Sequence, residues 1–226
     1  MSYIIRATDI SKKYNSNYHQ TVLKPTQFTI KKGAIYVIEG KSGSGKSTFL
    51  SILGGMEKPT QGKVFYKNYS LYDLDDKEQA KIRGEKFGFV FQSFQLIPEL
   101  TVKENIKLPL QFIDPPKNKK SVKELAEELG IISHLNKKPT FLSGGEQQRV
   151  AIARALITSP EVIFADEPTG NLDQFTSKII VDVLTKLCTE QQVSLVVVTH
   201  EKNLFHHPHN LYTMQDGKLK VEFENV

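Results

Sequence analysis

The run GKSGSGKST (40–48) lies directly behind the apolar segment AIYVIE (34–39) and limits the possible folds more than any other feature. It satisfies the spacing G-x-x-x-x-G-K-[ST] in full, with a strand expected before it and a helix after it. Glycines allow consecutive backbone N–H groups to curl around an anion with no Cβ in the way. The helix behind them adds the positive end of its dipole. Lys46 is then placed to reach β- and γ-phosphates, and the Ser47 hydroxyl to ligate Mg²⁺. Gly40, Lys41, Ser42, Gly43, Ser44, Gly45 and Thr48 complete the cradle. A loop that merely turns the chain needs neither the lysine nor this spacing. Nucleoside triphosphate binding is the expectation.

The rest of the chain suits such a loop. AIYVIE, FGFVF (87–91), VIFA (162–165) and SLVVVT (194–199) have the continuous hydrophobicity of strands covered on both faces. YIIRATDI, QFTIKKG and KVFYKNYS alternate instead, as half-buried strands do. Helical patterns lie between, notably SVKELAEELGI with a serine cap and apolar Val122, Leu125, Ala126 and Leu129. LYTMQDGKLKVEF reads as a tight hairpin turning at Asp216-Gly217. Strand–helix alternation with buried strands means an α/β domain. The helical stretch 93–156 interrupts the strands and is expected to be an inserted subdomain.

Composition narrows the setting. A length of 226 residues suits one sizeable domain, 1–226. With 39% hydrophobic and 24% charged residues the chain reads as soluble, and no window approaches the ~20 apolar residues of a membrane span. MSYIIRATDI lacks the basic start and apolar core of a secretory signal. Cys188, the single cysteine, excludes an internal disulfide and reads as packing on the helical pattern VDVLTKLC. The formal charge of +5 is spread over scattered lysines, apart from short groups such as 117–120. Solvated lysines explain it, so no nucleic-acid partner is expected. HHPH (206–209) has no spaced cysteine or carboxylate partners and reads as a surface loop. The one metal expected is the Mg²⁺ that accompanies the nucleotide.

Other residues with chemical potential sit where strands end. EVIFADEP carries two carboxylates at the close of an apolar run, the edge where α/β proteins hold ligands. Asp166 is placed for the Mg²⁺ shell. Side chains of neighbours on an extended backbone diverge, so Glu167 is free to accept a proton from an attacking water. Gln92 and His200 follow their strands in the same way. Ser143-Gly144-Gly145-Glu146 fits the capping box S-x-x-E at a helix start. That box leaves the double glycine unexplained, because glycine in a first turn costs entropy. A bare helix end suits close approach by an anion, which suggests a second contact to the same triphosphate from another copy of the chain.

LSGGEQQR (142–149) resembles the signature of the ATP-binding cassette (ABC) ATPases. The remaining elements stand in that family's order: Tyr14, GKSGSGKS, Gln92, the signature, VIFADE, GNLD (170–173) and His200. The resemblance implies a P-loop NTPase core with a mostly parallel sheet, an antiparallel β subdomain and the inserted α-helical subdomain. It implies catalytic roles for Glu167, His200, Gln92 and Lys46, and Mg²⁺ held by Ser47, Gln92 and Asp166. Tyr14 is similar to the aromatic that stacks on adenine, and Asp173 closes a segment that crosses to the opposite subunit. Ser143, Gly144 and Gly145 would meet the ATP bound by the partner, in an ATP-dependent head-to-tail homodimer. The GNLD version and FQLIPELTVKENIKLPL resemble cassettes of macrolide exporters, lipoprotein-releasing systems and antimicrobial-peptide resistance pumps. Such cassettes work beneath a separate transmembrane permease, on the cytoplasmic face of the membrane. The apolar segment 94–112 is the expected docking surface. Phe141 departs from the polar residue often found before the signature, near transport-coupling contacts. A cassette that regulates an extracellular cell-wall hydrolase would use the same ATPase residues. A ribosome- or nucleic-acid-associated ATPase usually brings a second cassette, coiled-coil arms or zinc modules, and this sequence has none of these.

Overall fold

The computed structural model describes residues 3–15, 19–114 and 120–223, so Lys117 and Lys119 lie outside the described residues. In chain order the elements are β1 (Tyr3–Asn15), β2 (His19–Lys31), β3 (Ile35–Glu39), α1 (Lys46–Leu53), β4 (Gln61–Tyr66) and β5 (Tyr69–Ser70). Then come α2 (Asp76–Lys86), β6 (Phe87–Phe91), α3 (Val102–Lys107), α4 (Val122–Glu128) and α5 (Gly144–Leu156). The chain continues with β7 (Val162–Asp166), α6 (Gln174–Glu190), β8 (Ser194–Thr199), β9 (Asn210–Gln215) and β10 (Lys218–Phe223). One sheet has the order β2-β1-β4-β5 and is antiparallel; the other has the order β10-β9-β3-β8-β7-β6. In the second, β9, β3, β8, β7 and β6 run parallel, and only the β9–β10 hairpin is antiparallel.

The apolar runs are continuous because both faces of this sheet are covered. Val37, Ile163, Ala165, Leu195 and Val197 face a core formed with α3, α4, α5 and α6. Their neighbours Ile38, Val162, Phe164, Val196 and Val198 face a second core. There α1 supplies Phe49, Leu50, Ile52 and Leu53, and the antiparallel sheet supplies Ile5, Ile10, Leu23 and Ile30. Helix α1 is thus sandwiched between the two sheets. Burying each of these large side chains contributes about 1.5–3 kcal/mol. Cys188 packs into the first core, where burial pushes its thiol up to about 12.

Helix α5 packs on β6 and also meets α3 and α4, so it ties the helical stretch to the sheet. The loop before α3 is organised by Asn105, fully buried, whose Nδ2 donates to the carbonyls of Ile97, Leu100 and Thr101. Two local expectations need correction. KVFYKNYS does not run on as one strand: Lys67 takes φ 52°, Tyr66 pairs with Tyr69, and the segment folds into the β4–β5 hairpin. Within segment 94–112, Val102 and Ile106 are fully buried core residues, while Ile97 and Phe112 remain exposed. Helix α2, which carries no buried residue, forms from a capping box between Asp75 and Glu78 rather than from an apolar stripe.

Candidate active site

The register of the parallel strands gathers the site at one edge. Glu39 lies opposite Thr199, Asp166 opposite Val198, and Phe91 opposite Asp166. The following residues, Gly40, His200, Glu167 and Gln92, therefore emerge together where side chains leave the buried sheet.

The loop over 40–48 starts with Gly40 donating its N–H to Thr199 O at 3.1 Å. Gly43 and Gly45 take φ of 76° and 103°, the left-handed conformations open to glycine. A Cβ on Gly40 would lie 2.4 Å from Met214 O, so the β9–β10 hairpin abuts the loop. Gly217 in the hairpin's turn donates to Ser44 O at 3.0 Å. Lys46, 5% exposed, donates from Nζ to Gly40 O at 2.7 Å and to Lys41 O at 3.1 Å. The same ammonium lies 3.4 Å from Glu167 Oε1. The cation is thus held over the cradle by the loop's own carbonyls.

Ser47 Oγ donates to Asp166 Oδ1 at 3.0 Å. Burial raises the pKa of Asp166, an effect opposed by the Ser47 bond, and then raised again by the neighbouring Glu167 charge. A desolvated carboxylate beside a hydroxyl, with the Gln92 amide at the adjacent strand end, is a hard oxygen donor set. It fits Mg²⁺, which takes few protein ligands and completes its shell with water and phosphate oxygens.

Glu167 takes φ 47°, unusual for a residue with a side chain, and its N–H donates to Val198 O at 2.9 Å. Such a conformation costs about 1–3 kcal/mol and persists where the surroundings over-determine it. Its Oε2 accepts from His200 N at 3.2 Å and lies 2.6 Å from His200 Nδ1. A carboxylate only accepts, so Nδ1 carries the proton in that contact.

Gln92 turns its amide toward the GNLD segment: Nε2 donates to Asn171 Oδ1 at 3.1 Å, and Asn171 Nδ2 donates to Gln92 O at 3.0 Å. Just beyond it, Phe94 and Gln95 take φ of 59° and 51°. Their carbonyls accept from the Arg154 guanidinium, at 2.8 Å from Nη2 and 2.5 Å from Nη1. Sequence reasoning gave Asn171, Arg154 and the hairpin turn no role here. Tyr14 is partly exposed; its Oη donates to Glu57 Oε1 at 2.5 Å, and Lys12 Nζ lies 5.2 Å from the ring centre. Burial, then the Glu57 bond, raises its pKa. Asp173 caps α6, accepting from the N–H groups of Phe175 and Thr176 at 3.0 Å each.

At the start of α5 the capping box is closed. Glu146 Oε2 accepts from Ser143 N at 2.7 Å and from Ser143 Oγ at 2.9 Å, and Glu146 N donates to Ser143 Oγ at 3.4 Å. These partners of Ser143 lie in its own first turn and not in the phosphate loop. The double glycine has an explanation within the chain that sequence reasoning lacked. A Cβ on Gly145 would sit 2.6 Å from Thr176 Cγ2, and one on Gly144 would sit 3.1 Å from Leu172 Cδ2. Gly145→Ala is therefore expected to lower stability by about 1–2 kcal/mol, as overpacking usually does. Adding Thr176→Ser removes the clashing methyl and should recover most of that loss in urea unfolding.

Fold and site together define a phosphate-loop ATPase in which a strand-end glutamate faces the cradle. The family described as ABC transporter matches residues 23–170. The lipoprotein-releasing system ATP-binding protein LolD of Aquifex aeolicus is 46% identical over 230 residues, covering all of both chains. The ABC transporter ATP-binding protein YtrE of Bacillus subtilis is 40% identical over 97% of this chain and 96% of its own. Among solved structures, the dimeric structure of MJ0796, a bacterial ABC transporter cassette, superposes with a TM-score of 0.85 at 41% identity, over 96% of this chain and 98% of that one. A post-hydrolysis dimer of the same cassette, bound to ADP and Pi, gives 0.84 at 40% identity and the same coverage. The chain belongs to the ABC transporter family, and it is an ATPase of the ABC type.

Proposed function

We propose that two copies of this ATPase close head to tail around two ATP molecules, and that closure powers a separate membrane permease. The observation that carries this reading is the start of α5. Among the described residues Ser143 is exposed and bonded only within its own turn, while the chain's phosphate loop lies elsewhere in the same fold. A helix start is an anion site, and in this reading the anion is the γ-phosphate held by the other copy.

Within one copy, the N–H groups of 40–45 and Lys46 bind and orient the triphosphate, the ammonium being held over the cradle by the loop's own carbonyls. Ser47, Asp166 and Gln92 would hold Mg²⁺, which when bound would neutralise charge developing on the phosphates. Glu167 takes the proton from the attacking water. His200 donates through Nδ1 to the carboxylate and so holds it in line. Gln92, which would also serve as a ligand of the metal, is bonded to Asn171 and so ties the site to the GNLD segment. Tyr14, near Thr48 at the start of α1, offers its ring to adenine. Loss of the γ-phosphate removes the link between Lys46 of one copy and Ser143 of the other, and the pair reopens.

The permease would dock on the outer side of the Gln92 loop. A hollow of about 440 Å³ there is lined by Met56, Arg83, Phe89, Phe91, Gln95 and Pro109 among others, with Ile97 and Phe112 exposed on the same segment. The lipoprotein-releasing relatives support release or export of a hydrophobic or peptide substrate, with the ATPase peripheral on the cytoplasmic face. No helix among the described residues is long and apolar enough to cross a membrane.

Light scattering on Glu167→Gln tests the pairing. Its mass should double with Mg·ATP and stay monomeric without nucleotide. Ser143→Arg in the same background should abolish the doubling while leaving the monomer's ATP affinity within about threefold. Lost monomer affinity would contradict the trans role.

A further inference from the structure

The structure assigns to His134 the work of holding the signature corner in shape: it is a positioning residue for Ser143, acting through Glu146. This rests on the reading that Ser143 meets ATP across the dimer. His134 closes the short turn Ile132–His134 after α4, and its backbone is fixed at both ends. Its N–H donates to Ile131 O at 2.9 Å, and its carbonyl accepts from Lys137 N at 2.9 Å. Its Nε2 lies 2.9 Å from Glu146 Oε1.

The two oxygens of Glu146 thus have separate tasks. Oε1 is anchored by His134, and Oε2 receives both the N–H and the hydroxyl of Ser143. The boxes that start α3 and α4 use the same Ser/Thr–Glu exchange, through Glu104 and Glu124. Among the described residues neither of those glutamates has a histidine, lysine or arginine within ion-pair reach. A box that only starts a helix works without such an anchor, and the anchored one is the box whose serine is expected to face a phosphate. The anchor comes from the stretch between α4 and α5, so the orientation of Ser143 depends on how the helical stretch is packed. Glu146 carries negative charge 2.9 Å from the Ser143 hydroxyl, and its pKa is lowered first by the Ser143 bonds and then by His134 and Arg149. Drawing one oxygen toward His134 limits how far that charge opposes an approaching triphosphate.

Two substitutions separate positioning from packing, since both fill the space of the ring. His134→Gln keeps a donor near the place of Nε2; His134→Leu keeps bulk and loses the donor. In hydrogen exchange of the nucleotide-free chain, amides 143–147 should exchange about tenfold faster in His134→Leu than in the parent, and within about threefold of the parent in His134→Gln. ATP turnover at saturating nucleotide should fall about tenfold in His134→Leu, with nucleotide affinity of the monomer held within about twofold, and should be restored by His134→Gln. Equal exchange and turnover in the two variants would overturn the proposal, whether both match the parent or both fail. The pairing reading fails separately, through normal turnover in Ser143→Arg. In that event the exchange measurement alone decides whether His134 orders the corner.

Discussion

Lys46→Ala is expected to lose ATP turnover by at least about 100-fold, equivalent to about 2.7 kcal/mol of transition-state stabilisation. Lys46 is buried and its ammonium sits on two carbonyls of its own loop, 2.7 and 3.1 Å away, so its position does not depend on a mobile chain. A cation fixed in this way needs little reorganisation when a phosphate arrives. Removing it also leaves Glu167, 3.4 Å from the ammonium, with its negative charge uncompensated beside the same phosphates. Binding and chemistry should therefore fall together. The loop fold should survive, because Gly40 is held by Thr199 and Ser44 by Gly217 through backbone bonds that do not involve the lysine. Steady-state phosphate release and nucleotide titration, with a circular dichroism check of folding, measure all three. Turnover near that of the parent would defeat the phosphate-loop assignment.

How much of this was legible in the sequence follows from how local each feature is. The loop over 40–48, the strand-end carboxylates and the capped start of α5 are each written in contiguous residues, so spacing and pattern reach them. The buried strands were legible because coverage of both faces leaves an unbroken apolar run. The Gln92–Asn171 clasp joins residues 79 apart, and Arg154 reaches carbonyls 59 and 60 positions earlier. No periodicity carries such pairings, which exist only once β6, α5 and the turn after β7 are assembled. The double glycine was half legible: pattern showed a missing Cβ, and packing against Thr176 gave a reason that belongs to α6. Helix α2 was not legible from hydrophobicity because only Ile82 packs, half-buried, on the core, and its start is set by two acidic side chains.

The helix α5 joins two of these non-local features. Its first turn presents Ser143, and close to its other end Arg154 fixes the carbonyls of Phe94 and Gln95 just after Gln92. A displacement of the Gln92 loop therefore pulls on the same element that carries Ser143, the residue proposed to meet the partner's ATP. Glu167 contacts Lys46 and His200, and its removal is the sharpest test of the chemistry. Glu167→Gln keeps the shape of the side chain and an amide oxygen able to accept from His200 N, so the left-handed turn after β7 should be retained. The charge proposed to receive the water's proton is lost. Turnover should fall between about 100- and 10,000-fold, the usual worth of a positioned general base. ATP affinity should hold or rise, because the ammonium of Lys46 loses a competing partner 3.4 Å away. His200→Ala should give a smaller loss, since it removes the group that orients the carboxylate and leaves the carboxylate itself. Quenched-flow turnover beside equilibrium nucleotide binding separates the two quantities. A Glu167→Gln chain that hydrolyses ATP at the parent's rate would place the base elsewhere and reduce the contact between Glu167 and His200 to a fastening of the loop.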